Sequence, residues 1–176
     1  MSDIVELILA EHVRISKLIE NLDSTLADAG PGSGPYPAWA TLAGFLRFHV
    51  DAAWEIAYQA LASGGPDTAL AIRKASEVDA DIREMLEEAR LSRPGSRTWY
   101  MAVQAACSAA KSHMTCVESA PLRRLQLHTP PAVRRALGRQ WVAFMTDRTL
   151  DAAAYRDIPF SAASRLSRVS LPTGAS

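Results

Sequence analysis

The sequence predicts an all-α protein, an up-down-up-down four-helix bundle carrying one additional C-terminal helix and a tail. Three observations predict it. Prolines and glycines gather at 30–37, 64–66, 94–95 and 130–131. Between these clusters lie stretches of about 25 residues, rich in Ala, Leu and Glu and nearly free of helix breakers. Each stretch repeats its apolar residues at the three-to-four spacing of a helix, and none alternates as a strand would.

The first helix is expected over about 3–28, opened by Asp3 and Glu6 in a capping-box arrangement, with the stripe Val5, Ile8, Leu9, Ile15, Ile19, Leu22 and Leu26. The second, about 37–62, presents Leu42, Phe45, Leu46, Ile56 and Leu61. The third, about 67–90, presents Ile72, Ala75, Ile82, Leu86 and Ala89. The fourth, about 97–120, presents Val103, Ala106, Ala110 and Val117, and Pro121 ends or kinks it. A fifth, about 131–147, carries Val133, Leu137, Trp141, Phe144 and Met145 and should pack across the outside or the end. Residues 1–148 thus make one bundle domain. Residues 149–176 make an extension whose last part, poor in large apolar side chains, reads as a tail.

A chain of 176 residues, 48% hydrophobic and 22% charged, is long enough to bury a core without disulfide or metal staples. Its apolar runs fall short of a membrane span and no secretory leader opens it, which predicts a cytoplasmic protein. Cys107 and Cys116 stand nine apart in one helix, on roughly opposite faces, so they cannot pair with each other there; this fits a reducing compartment. The formal net charge is zero, which argues against a dedicated nucleic-acid binder. That zero is uneven: residues 1–121 hold 10 basic against 16 acidic side chains, and residues 122–176 hold 9 arginines against 3 aspartates. Either the basic segment folds back on an acidic bundle, or it offers a face to an acidic protein partner or a second copy of the chain.

Three of the four histidines sit in mid-helix on the apolar stripe: His12 among Ile8, Leu9, Ile15 and Ile19; His49 among Phe45, Leu46, Ala53 and Ile56; His113 among Ala109, Ala110, Cys116 and Val117. One such histidine is an ordinary satisfied core residue. Three, at similar depth on different helices, bring their imidazoles to one central space. Neutral imidazole is the commonest protein ligand for transition metals.

The segment LILAEHVRISKLIENL resembles the first helix of hemerythrin-like proteins, the HHE cation-binding family. FLRFHVDAAWEIAYQAL resembles the second helix of that family, and AAKSHMTCVESAPLRRLQLHTPPAVRRALGRQWVAF its fourth helix and the connection beyond, so that the resemblance spans about residues 3–145. It implies a four-helix bundle holding a pair of non-heme irons. The resemblance places the metal ligands at His12, at His49 with a glutamate four residues on, at a histidine of the third helix, and at His113 with a second glutamate four residues on.

This chain departs from that pattern. The two bridging-glutamate positions are Ala53 and Val117, and the third-helix position is Asp79. His12, His49, Asp79 and His113 remain, too few and too neutral for a standard di-iron centre. They suit a single iron, zinc or manganese ion. Cys116 shares the face of His113 and is a further, weaker candidate ligand; as a small buried apolar residue it needs no such role. Asp79 has Arg83 one turn later, so an ion pair at the bundle edge competes with a place inside it. Glu55 and Glu118 fall about 120° and 140° away from His49 and His113, toward solvent or a neighbouring helix's edge. Tyr58 lies half a turn off the His49 face and is expected against a loop. His128 is expected at the surface, and Trp99 and Tyr100 over one end of the bundle. Ala52, Ala53, Ala106, Ala109 and Ala110 either leave a gap beside the histidines or let the helices close together.

The residues support three readings. His12, His49 and His113, with Asp79 or Cys116, hold one transition metal. Alternatively the inward His12, His49 and His113, with Asp79, serve as metal-free acid/base or hydrogen-bonding groups for a small molecule inside the bundle, with His49, His113 and Asp79 the catalytic candidates. Thirdly, the bundle is a scaffold acting through its basic C-terminal segment.

Overall fold

The computed structural model describes residues 3–27 and 35–156, with side chains described as far as Arg148. The expected linker at 30–34 and the tail beyond Arg156 lie outside the described residues. Among the described residues every element is helical and there is no strand. No described helix is long and apolar enough to cross a membrane.

Helix α1 spans Ile4–Ala27. Its start is the expected reciprocal cap: Asp3 Oδ1 accepts from the Val5 N–H at 3.0 Å, and Glu6 accepts from the Asp3 N–H at 3.2 Å. Helix α2 (Tyr36–Ala52) continues without a break into a π-helical segment (Ala53–Tyr58) and a closing α turn, α3 (Gln59–Leu61). Gly65, at φ +83°, turns the chain into α4 (Pro66–Leu91). Helix α5 (Arg97–Ser119) is capped by the Ser96 hydroxyl, which accepts from the Trp99 N–H at 3.2 Å.

Three features differ from the sequence reading. Pro121 does not merely end the fourth helix; it opens a short new one, α6 (Pro121–His128), because proline lacks only an N–H that a first helical turn leaves unpaired. Helix α7 begins at Pro131 as expected but runs to Arg156 rather than stopping near 147. No proline or glycine interrupts 139–156, and Ala152, Ala153 and Ala154 favour continuation. Leu9 and Val133, both expected on core stripes, are 40% and 45% exposed.

The core falls into two apolar clusters with a polar layer between them. One holds Ile15, Ile19, Leu22, Leu42, Leu46, Ile82, Trp99 and Ala106, among others. The second holds Ile4, Ile8, Ala53, Tyr58, Ala75, Val117, Leu125 and Trp141. Each of four helices passes from one cluster to the other through a single buried polar side chain: His12 on α1, His49 on α2, Asp79 on α4 and His113 on α5. Trp99 lies against Tyr100 and Trp39 at the far side of the first cluster, in edge-on ring contacts.

Candidate metal centre

The polar layer is a hydrogen-bonded set with two unpaired atoms, His12 Nε2 and Asp79 Oδ2. His12, His49 and His113 are 3%, 0% and 0% exposed. Their rings touch edge to face, with centroids 5.1 Å apart for His12–His49 and His49–His113 and 5.5 Å for His12–His113.

Each ring has one nitrogen turned outward onto a carboxylate. His12 Nδ1 meets Glu118 Oε1 at 2.7 Å, His49 Nδ1 meets Glu11 Oε2 at 2.7 Å, and His113 Nδ1 meets Asp79 Oδ1 at 2.5 Å. An ionised carboxylate only accepts, so the Nδ1 facing one carries a ring proton, and a neutral ring then keeps its lone pair on Nε2. Burial, then the neighbouring imidazoles, hold His12 down at about 4 and His49 at about 3, so these two rings are neutral at physiological pH.

The inward nitrogens of His49 and His113 are hydrogen-bonded to each other, one of them donating. His49 Nε2 and His113 Nε2 are 3.1 Å apart, and His12 Nε2 is buried with no hydrogen-bond partner. One ligand nitrogen from each ring lies within 4.8 Å of the other two, so the three histidines could hold a metal ion. Two nitrogens sharing a tetrahedral ion at about 2.0–2.1 Å stand about 3.3–3.4 Å apart, close to the separation of His49 and His113. The orphaned Nε2 of His12 is costly in a dry core and is what a cation would relieve.

Asp79 is fully buried, but it stands behind His113 rather than among the converging nitrogens. The expected edge ion pair is not made: Arg83 bonds instead to Asp51 at 3.1 Å and to the Val50 carbonyl at 3.2 Å. Cys116 is half-buried against the second apolar cluster, outside the three-histidine group. Glu55 is exposed, whereas Glu118 reaches across to α1 to engage His12. His128 is exposed at the end of α6, as expected.

Sequence reasoning misses two participants. Glu11 precedes His12 on α1, and nothing local sets it apart from the many other acidic residues. Its carboxylate bridges His49 and the indole of Trp141, whose Nε1 donates to Oε1 at 2.9 Å. Burial pushes Glu11 up to about 7, with the Trp141 hydrogen bond and Arg14 pulling the other way. Tyr58 is the other. The π segment absorbs roughly one residue more than an α-helix would, turning the rest of the helix by about 100°. Tyr58 is thereby swung into the core, 2% exposed, instead of resting on a loop. Its hydroxyl and Asp79 Oδ2 are both buried without a hydrogen-bond partner. Burial and the nearby Asp79 charge raise the phenol well above its ordinary range. The two groups are neighbours that fall outside hydrogen-bond geometry.

No family model, no curated protein and no solved structure matches this chain.

Proposed function

We propose that this protein is a hemerythrin-like, up-down-up-down helical bundle that binds one transition-metal ion between His12, His49 and His113. The observation carrying this reading is that all three histidines set Nδ1 against a carboxylate and bring one nitrogen each within 4.8 Å of the other two, with His12 Nε2 lacking any other partner. Metal-binding histidines commonly have such carboxylate partners, which fix the tautomer and raise the basicity of the ligating nitrogen. The order in which α1, α2, α4 and α5 cross from one apolar cluster to the other supports the alternating helix direction.

One ion is favoured over two. Ala53 and Val117 stand where bridging carboxylates would be needed, and both are buried in the apolar cluster. The three carboxylates present lie outside the imidazole ring set. Three imidazoles suit zinc or iron better than manganese, which prefers oxygen donors. Such an ion keeps an open coordination position and supplies Lewis acidity, or for iron a redox couple, there. The residues of the chain hold three imidazoles in place, keep Asp79 bonded behind His113, and exclude water from the layer. The ring contacts support an ion in preference to an organic ligand at this point.

We read the Arg-rich segment first as a counterpart to the acidic bundle. Arg134 on α7 bonds to Asp3 at the start of α1, at 2.6 Å. An acidic protein or a second copy is the other partner the charge would suit. Cys107 and Cys116, both free thiols, support a cytoplasmic location.

The test is elemental analysis of protein purified without chelator or affinity metal, followed by titration with Co2+ and Zn2+. About one ion per chain, with the visible Co2+ absorption of a tetrahedral site, is expected. Two irons per chain with an oxo-bridge absorption would replace this reading with a di-iron centre. Failure of the wild-type chain to take up Co2+, Zn2+ or Fe2+ would overturn it.

A further inference from the structure

The three outer carboxylates are not equivalent. Glu118 is 45% exposed on its side chain and shares itself with solvent. Asp79 has one oxygen on His113 and the other without a partner. Glu11 alone has both oxygens claimed by protein: Oε2 by His49 Nδ1 at 2.7 Å and Oε1 by Trp141 Nε1 at 2.9 Å.

Trp141 comes from α7, outside the four helices that carry the polar layer. It is 1% exposed, and its ring also lies edge-on to that of His49, with centroids 5.6 Å apart. Helix α7 packs on α1, on α2 and on the π segment, so this indole is its deepest polar contact with the layer.

We infer that Trp141 is a positioning residue of the metal centre, which through Glu11 holds His49 in the tautomer that presents Nε2, and so couples docking of α7 to metal binding. This rests on the metal-binding reading above. The logic is one of donors and acceptors. The indole has one N–H and no acceptor, so it takes one Glu11 oxygen and cannot take anything else. The remaining oxygen faces His49 Nδ1 and, in the ionised carboxylate, only accepts, which puts the ring proton on Nδ1 and the lone pair of the neutral ring on Nε2. By reciprocity, an ion bound on Nε2 strengthens the Nδ1–H donor, holds Glu11 in place and tightens α7.

The arrangement makes an unusual prediction for paired variants. In Glu11→Gln, the Trp141 N–H claims the amide oxygen and leaves the amide NH2 facing His49 Nδ1. Nδ1 must then accept, the proton moves to Nε2, and the metal lone pair is lost. In the double variant Glu11→Gln with Trp141→Phe, the amide is released to turn its oxygen toward Nδ1, which restores the tautomer. Zn2+ affinity, measured by competition with a chromophoric chelator, should fall about tenfold in Trp141→Phe and about a hundredfold in Glu11→Gln, the span known for outer-shell variants. The double variant should bind Zn2+ more tightly than Glu11→Gln alone. Amide hydrogen exchange along α7 should slow on Zn2+ addition in wild type and change far less in Trp141→Phe.

Additive losses in the double variant, or an unchanged affinity in Trp141→Phe, would overturn the inference, since a merely structural tryptophan predicts additivity. The 15N chemical shifts of His49 in the metal-free proteins report the tautomer directly. If wild type binds no metal, the metal reading fails, and these shifts still decide whether Trp141 governs His49. An Nδ1–H His49 in metal-free Glu11→Gln would sink the inference on its own.

Discussion

His49 and His113 face each other through their Nε2 atoms, 3.1 Å apart, while their Nδ1 atoms are turned away onto Glu11 and Asp79. That contact is a hydrogen bond, which needs a proton on one of the two nitrogens, so a metal ion taking both must displace that proton. The protein has paired the outward side of each ring with a carboxylate; inward, His49 and His113 share one hydrogen bond and His12 Nε2 alone has no partner.

A first prediction concerns the cost of that design. His12→Leu replaces a buried ring that has an orphaned Nε2 with an apolar side chain of similar size, and frees Glu118 to turn to solvent. The metal-free variant should be as stable as metal-free wild type or more so, by up to about 2 kcal/mol. It should lose Zn2+ affinity by at least about a hundredfold, having one ligand fewer. Urea denaturation and chelator competition together check this. A marked loss of stability with unchanged Zn2+ affinity would assign His12 a purely structural role.

Asp79→Asn should be gentler than Glu11→Gln. Nothing holds the second oxygen of Asp79, so an amide there is free to present its carbonyl to His113 Nδ1. Zn2+ affinity should fall by about tenfold, the lower end for an outer-shell change. Asp79→Leu, which offers no acceptor, should lose much more. Equal losses in the two variants would show that the charge of Asp79, and not its acceptor, is what matters.

The pH dependence of stability is set by the depressed histidines. His12 at about 4 and His49 at about 3 lie below the unfolded value of 6.5, so the unfolded chain binds more protons as pH falls. Their contribution is present in full above about 6.5 and is lost progressively toward pH 3–4. Glu11, raised to about 7 from 4.5, acts in the opposite sense: its contribution is full below 4.5 and fades as pH rises through 7. Two histidines, faced by Glu118, His113 and Asp79, outweigh one glutamate. Metal-free stability should climb between about pH 4 and 6 and flatten near neutrality, as read from urea midpoints at stepped pH. A midpoint that does not change between about pH 4.5 and 6.5 would contradict the neutral-imidazole description. A double His12→Leu, His49→Leu chain should lose most of the slope.

Tyr58→Phe removes a buried hydroxyl that has no partner. The thermal midpoint should hold or rise, by up to about 2–4 °C for each kcal/mol relieved in a domain of this size. A fall of several degrees would mean that the hydroxyl is paired in solution, with Asp79 Oδ2 as the candidate acceptor.

Much of this is legible in the sequence, for a physical reason. Helix positions come from breaker clusters and 3.6-residue periodicity, which are local properties, and the same periodicity places His12, His49 and His113 on inward faces. Asp3 with Glu6 writes its own cap. Asp79 enters through a resemblance to hemerythrin-like helices. What it touches is decided by the register between α4 and α5, which sets it on His113 and sends Arg83 to Asp51. Glu11 is indistinguishable from its acidic neighbours until α2 and α7 are packed on either side of it. Periodicity misplaces Tyr58 because a π segment shifts the phase of everything after it, and no residue in 53–58 announces one. Periodicity determined which side chains go inside. Only the packing of distant helices decided which of them meet, because hydrogen bonds join atoms across the chain's folded distance, as Trp141 and Glu11 do, 130 residues apart.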